Sequence, residues 1–261
     1  DINDAGEALV SYTAGVVDSL GQTTAFYNFS YLQNVKSKAV VYLGQDTDAF
    51  AVNNSGVIAG RDNQGHHVFG PDVAYTLNDG GVGGHLEVYG INGTNQTVGV
   101  VDYRPAVWRD PASSPAVPAL LDTGGFAHGY AAAINTAGVS VGAVSATSFF
   151  GIDSPAHEGQ AALWDGEALT LLELGVFSGS DAWDINAAGN VVGSASVSPD
   201  AATVAVLWHE GELIDLNAYL SEDQKAQGWT LSYASGINDS GWIVGRSEEH
   251  TSELQSLSRI S

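Results

Sequence analysis

The strongest constraint on what this chain can fold into is a short pattern that returns six times. It reads apolar residue, Asn, two variable residues, Gly, then an apolar run usually ending in a second Gly. The copies begin at Ile2-Asn3, Val52-Asn53, Ile91-Asn92, Ile134-Asn135, Ile185-Asn186 and Ile237-Asn238, at intervals of 39 to 52 residues. Self-similarity at such a period marks a repeat architecture. Within a copy, Asn starts a turn by bonding its side chain to the backbone, and Gly takes the left-handed position that closes it. The third copy has Asn95 where the others have Gly, and Asn is the next-best residue at positive φ. Each copy therefore predicts a β-hairpin.

A second element follows each hairpin: Ala106-Val107-Trp108, Ala162-Leu163-Trp164 and Val206-Leu207-Trp208, with weaker counterparts at Ala25-Phe26-Tyr27 and His67-Val68-Phe69. A Gly-containing polar turn and another apolar strand come next, as in Asp165-Gly166-Glu167-Ala168-Leu169. Two hairpins per repeat give about four strands, the content of one propeller blade. The expected fold is all-β, a β-propeller-like array of four-stranded repeats with about five blades and the start of a sixth. A β-solenoid or open repeat array is the alternative. The recurring Trp residues are read as core between repeats rather than a sugar platform, so Trp108, Trp164 and Trp208 should be inaccessible. Ser221–Gln227 predicts a short helical turn behind a Ser N-cap. Uneven loops are expected at Ser145–Gly159, at Pro199–Thr203 and around Pro111, Pro115 and Pro118. No composition break precedes Gly245, so residues 1–245 are expected to form a single domain, truncated at both ends.

Charge narrows the partners. Eight Lys and Arg stand against 30 Asp and Glu, a formal net charge of −22. Such a surface repels phosphate backbones and anionic lipid, which argues against nucleic acid and membrane as partners. The acidity is read first as solubility, and second as an attraction for calcium. The absence of Cys excludes disulfides and thiolate–metal chemistry. The absence of Met and the opening in mid-motif point to a fragment, with no signal peptide or transmembrane stretch in it.

Candidate sites are few. His66, His67 and His85 are possible metal ligands but lack a matching carboxylate spacing. The carboxylate pairs Asp46/Asp48 and Asp181/Asp184 could supply an acid and a base, as in propeller glycosidases. Both pairs precede the apolar-Asn motif, where turn or strand roles are expected instead. Gly80-Gly81-Val82-Gly83-Gly84 resembles a phosphate cradle, yet no Lys-Ser/Thr follows it. Asn28, Asn53, Asn92, Asn95 and Asn238 fall in Asn-x-Ser/Thr sequons, which are read here as turn chemistry. No catalytic, cofactor or metal residue is assigned, and no cofactor is expected.

Leu120-Leu121-Asp122-Thr123-Gly124-Gly125 leads into Ala131-Ala132-Ala133-Ile134-Asn135. Leu172-Glu173-Leu174-Gly175 leads likewise into Ala182-Trp183-Asp184-Ile185-Asn186. With Leu213–Asn217, Gly228–Leu231 and Ala234–Asn238, these stretches resemble the HAF-type extracellular repeat family of bacteria. The resemblance spans Ile2 to Gly245 and is strongest in the last three repeats. It implies a secreted or surface-attached, propeller-like protein and brings no catalytic residues. The expected role is a non-enzymatic structural or interaction module with a protein or glycan partner at the cell surface. A propeller-type carbohydrate-active enzyme and a calcium-stabilised adhesion module are the alternatives.

The pattern stops at Gly245. From Arg246 to Ser256 the chain resembles, residue for residue, the translation of a common short-read sequencing adapter, and Ile260-Ser261 resembles its continuation. Residues 246–261 are therefore expected to be a non-native, disordered tail.

Overall fold

The computed structural model describes residues 3, 5–17, 22–70, 72–109, 116–147, 159–198, 201–247 and 255–257. Six sheets follow one another in chain order. Sheet 1 holds β1 (Glu7–Val17), β2 (Thr23–Asn34) and β3 (Val40–Gln45). Sheet 2 holds β4 (Asp48–Val52), β5 (Ile58–Asp62), β6 (Gly65–Gly70) and β7 (Val73–Leu77), and sheet 3 holds β8 (Leu86–Ile91), β9 (Thr97–Val101), β10 (Arg104–Trp108) and β11 (Ala119–Leu120). Sheet 4 is β12 (His128–Ile134), β13 (Val139–Ser145), β14 (Gly159–Asp165) and β15 (Ala168–Leu171), and sheet 5 is β16 (Gly179–Ile185), β17 (Val191–Ser196), β18 (Val204–His209) and β19 (Glu212–Asp215). Sheet 6 is β20 (Leu231–Ile237), β21 (Ile243–Ser247) and β22 (Gln255–Leu257). The expected four-stranded repeats are thus present.

The Asn motif makes the turn between the first two strands of a repeat. In sheet 4, Asn135 Oδ1 accepts from the backbone N–H groups of Ala137 and Val139, both at 3.0 Å. Asn135 N donates to Val139 O, and Gly138 N donates to Asn135 O. Gly138 has φ +84°, and Asn95 takes the same conformation at φ +65° in the third copy, as its substitution predicts. In sheet 1 the turn at Asn3 lies before β1, so β1 occupies the place that β5 or β13 has in its own sheet.

The second Gly of the motif has a separate cause. Ala131 pairs with Gly142 and Ala133 with Val141, which leaves Ala132 as an extra residue, a β-bulge. The same bulge leaves Phe50, Trp183 and Ser235 as the extra residues after the pairs Ala49–Gly60, Ala182–Gly193 and Ala234–Gly245. A Cβ on Gly142, Gly193 or Gly245 would collide with the carbonyl oxygen of Tyr130, Asp181 or Tyr233. Only glycine lets the bulged strand come that close.

Cores lie between successive sheets. Leu9 and Leu32 pack on Ala49, Val52 and Ile58. Val141 and Ala161 pack on Ala182, Ile185, Val191 and Trp208. Val192, Ala205 and Leu207 pack on Leu231, Ala234 and Ile243. Adjacent residues such as Val191 and Val192 serve different cores because a strand's side chains alternate between its faces. Trp108 and Trp164 are fully buried and Trp208 is 3% exposed, as expected of core. Their indole N–H groups donate to the carbonyls of Asn78, Asp122 and Glu173.

Among the described residues helix is confined to a 3-10 turn, Leu216–Tyr219, and α1 (Glu222–Ala226), whose N-cap Ser221 forms a capping box with Gln224 as its sequence predicts. Among the described residues no helix is long and apolar enough to cross a membrane.

The chain expected to form one domain over 1–245 divides into two compact units, residues 1–98 with 107–119 and residues 99–106 with 120–261. Repeats that touch only their neighbours can divide in this way without any linker in the sequence. In the tail expected to be disordered, Arg246 and Ser247 complete β21, and Gln255–Leu257 pair with it as β22. An open strand edge pairs through backbone groups, which every sequence supplies. Residues 248–254 and 258–261 lie outside the described residues, as do Pro111, Pro115, Pro199 and residues 148–158 of the expected loops.

Candidate functional site

A concentration of buried polar chemistry in the second unit sits where β16 passes β12 and β20. The bulge in β16 projects Trp183 towards the rings of Tyr130 (6.1 Å) and Tyr233 (6.3 Å), with its indole N–H donating to Ser194 Oγ at 3.2 Å. Asp181 is 2% exposed, and its Oδ1 accepts a 2.7 Å hydrogen bond from the Tyr130 hydroxyl. Among the described residues its Oδ2 has no hydrogen-bond partner. Burial pushes the Asp181 carboxyl up to about 6, against the smaller opposing pull of the tyrosine hydroxyl.

Asp184 is pushed up to about 6 by burial as well, although the N–H groups of Ile237 and Ile185 each donate to its carboxyl oxygens at 2.8 Å. The pair named from sequence therefore shares a strand but not a target. Asp181 reaches back to β12 of the preceding sheet, whereas Asp184 reaches forward to β20 of the following one. An acid and a base acting on one bond must converge on it. These two carboxyls are fastened in opposite directions.

The first unit carries a charged cluster. Arg61 on β5 bonds Asp48 (2.9 Å) and Glu87 (2.5 Å), and Glu87 also meets His66 at 3.3 Å and His85 at 3.9 Å. Burial works to raise the Glu87 pKa, but His66 and Arg61 together hold it below the usual carboxylate range. Burial pushes the neighbouring Tyr89 hydroxyl up to about 12, with the Glu87 charge adding to the effect. His67 stands apart from this cluster, paired with Asp62 at 3.0 Å. The three histidines named as possible ligands are thus divided between two carboxylate partners. Among the described residues no cluster of three or more His, Asp or Glu is arranged to hold a metal ion.

His67, Arg61, Asp62, Tyr75 and Thr76 line a cleft of about 270 Å³, and Leu43, Phe69 and Ala74 add apolar surface. Sequence reasoning missed this cleft. Its signal was faint: His67 stands where other repeats have Ala162 or Val206 two residues before the aromatic.

The remaining nominated residues have structural jobs. Asp46 is an exposed turn residue at φ +57°, while its partner Asp48 is the ion-pair partner of Arg61. In the glycine-rich loop, the N–H groups of Gly81 and Gly83 donate to the Asp79 carboxylate at 2.8 Å. A carboxylate of the protein thus fills the place a phosphate would need. Of the sequon residues, Asn53 and Asn92 are buried in their turns, Asn28 accepts from the Thr13 hydroxyl, and Asn238 is exposed.

No protein-family model matches this chain, and no curated protein matches it. Among solved structures it is similar to the β-propeller domain of the Trilobed protease from Pyrococcus furiosus, which is described as having an open velcro topology. The two share 12% identity at a TM-score of 0.58, over 99% of this chain and 80% of that one. A likeness at that identity speaks to architecture, and with the six sheets it establishes a propeller-like, all-β array.

Proposed function

We propose that this chain is a non-enzymatic, propeller-like module of an extracellular or cell-surface protein of the HAF-type repeat kind, acting through a protein or glycan partner. The observation that carries the reading is the commitment of the repeat's polar groups to the fold. The Asn side chains close the turns, the indole N–H groups cap carbonyls of the preceding repeat, and Asp181 and Asp184 are tied to different neighbouring sheets. The acidic surface suits a secreted, soluble setting.

A carbohydrate-active enzyme is the second reading, favoured by one observation. Asp181 has a raised pKa and an unpartnered oxygen beside Tyr130 and Trp183, as a general acid would. The two readings separate in one experiment. The purified chain is incubated with a panel of polysaccharides, and both retention and released reducing ends are measured. Retention without release supports the module. Release that disappears in Asp181→Asn overturns it.

A further inference from the structure

Sheet 2 departs from the repeat's own pattern on the face that packs on sheet 1. Two places in a repeat share that face: the residue paired with the second motif glycine, and the residue two past that glycine. In sheets 4 and 5 they are Ala162 with Val144, and Val206 with Ala195, all four inaccessible. In sheet 2 they are His67, opposite Gly60, and Asp62. The fold asks for small apolar side chains there. An imidazole bonded to a carboxylate breaks that rule as functional sites do, and both residues line the cleft of about 270 Å³.

We propose that this cleft binds a small hydroxylated cation, the chemistry of a free amino sugar. The proposal rests on the reading of the chain as a binding module with a glycan partner, and names the sugar class and its seat.

Charge sets the sign of the ligand. Arg61 and His66 pair across strands on the face opposite His67, and both turn to Glu87 of sheet 3. Asp48 holds Arg61 there as well. The cleft is left with the Asp62 carboxylate, against which only His67 sets a basic side chain among the described residues. In a chain of net charge −22 such a site attracts cations.

Hydrogen-bonding capacity sets the head group. Asp62 Oδ1 accepts from the Gln64 N–H and meets His67 Nε2 at 3.0 Å, while His67 Nδ1 meets the Thr76 hydroxyl at 3.4 Å. With both ring nitrogens engaged, His67 is a positioning residue for the carboxylate and the hydroxyl. Among the described residues Asp62 Oδ2 and the hydroxyl of Thr47, a residue 7% exposed, make no hydrogen bond. An ammonium brings three donors and no acceptor, and the cleft offers it Asp62 Oδ2 with the Thr47 and Thr76 hydroxyls. Leu43, Phe69 and Ala74 supply apolar surface for the C–H face of a sugar ring. The cleft falls just short of the roughly 300–1,000 Å³ of drug-sized pockets, which suits a single ring rather than a chain of them.

The test is a ligand-observed NMR titration of the whole chain at pH 7 with glucosamine, N-acetylglucosamine, glucose and Nα-acetyl-lysine methylamide. We expect glucosamine to bind, and the two uncharged sugars to bind roughly tenfold more weakly or not at all. Asp62→Asn keeps an acceptor for Gln64 and should lose roughly tenfold or more in glucosamine affinity. Thr47→Val should lose roughly three- to tenfold. Circular dichroism and tryptophan fluorescence confirm the fold of each variant, and the comparison of sugars on the parent chain needs no variant. Absence of glucosamine binding overturns the proposal, as does equal binding of glucose or undiminished binding by folded Asp62→Asn. Tighter binding of the lysine derivative would assign the cleft to a protein side chain and overturn the amino-sugar assignment. Retention on polysaccharides and reducing-end release report separately on the module reading, so the two can fail independently.

Discussion

The side-chain amide of Asn53 donates to the backbone carbonyl of Asn92, 2.9 Å away in the next repeat, while its Oδ1 holds the N–H groups of Ser55 and Val57 in its own turn. One residue thus folds a hairpin and fastens it to its neighbour. Asn3 does the same to Asn53, and in the second unit Asn135 reaches Asn186 and Asn186 reaches Asn238. The five asparagines from Asn3 to Asn186 are buried, whereas Asn238 is exposed.

The two halves of the amide can be separated by mutation. Asn53→Asp keeps the turn acceptor but loses the donor to Asn92 and sets a charge against a carbonyl, so it should cost about 2–3 kcal/mol at pH 7. Asn53→Ala loses both roles and should cost about 2–4 kcal/mol. Asn238→Asp, exposed and still able to accept in its turn, should stay within about 1 kcal/mol. Urea unfolding of the three variants measures this. Equal costs for Asn53→Asp and Asn238→Asp would show that the link between repeats contributes nothing.

The two glycines of one motif should respond differently to alanine. Gly189 has φ +82° and open space around its Cβ position, so Gly189→Ala meets only the left-handed backbone cost of about 1–2 kcal/mol. Gly189→Asn should cost less, as Asn95 at that position in the third repeat shows. Gly193→Ala would push a methyl into the Asp181 carbonyl oxygen and onto the Trp208 ring, and the bulge must open. A loss of about 3 kcal/mol or more is expected there. Thermal melts of the three variants give the order directly.

This pair also shows how far the sequence could be read. The turn half of the motif was legible because Asn and Gly act on backbone within four residues, and Asn95 proved the positive φ by substitution. The bulge glycine was not legible, since its reason is a carbonyl of Asp181 twelve residues earlier in the chain. The link from Asn53 to Asn92 was hidden for the same cause: its acceptor is a main-chain atom, which no side chain announces. At the candidate sites, the spacing of Asp181 and Asp184 put both on one strand, but only the positions of Tyr130 and Ile237 reveal that they point to different sheets.

The buried indoles separate bulk from hydrogen bonding. Trp164→Phe keeps most of the volume but leaves the Asp122 carbonyl without its 2.7 Å donor, for a cost of about 1–2 kcal/mol. Trp164→Ala adds a cavity and should cost about 3–5 kcal/mol. Near-ultraviolet circular dichroism with urea unfolding reads both. A Phe variant as unstable as the Ala variant would place the whole contribution in the hydrogen bond and overturn the packing account.

Asp181 and Asp184 share a raised pKa near 6 but should answer differently to amidation. Both carboxyls ordinarily titrate near 3.8, so between about pH 4 and 6 the folded chain holds protons that the unfolded chain has released. Their joint contribution therefore favours the fold below about pH 4, falls as the pH rises through 6, and is level above it. Asp181→Asn removes a charge that burial disfavours and keeps an oxygen for the Tyr130 hydroxyl. At pH 7 it should be more stable than the parent by about 1–3 kcal/mol, the gap closing as the pH falls towards 4. Asp184→Asn has one oxygen where two N–H groups now have two acceptors, so one of Ile185 and Ile237 loses its partner. That loss offsets the relief from the buried charge, so the variant should lie within about 1 kcal/mol of the parent at pH 7 and below Asp181→Asn. Urea midpoints measured from pH 4 to 8 decide it. If Asp181→Asn is the less stable of the two at pH 7, the carboxylate is held in its ionised form by a group this geometry does not include, and the general-acid reading of Asp181 falls with it.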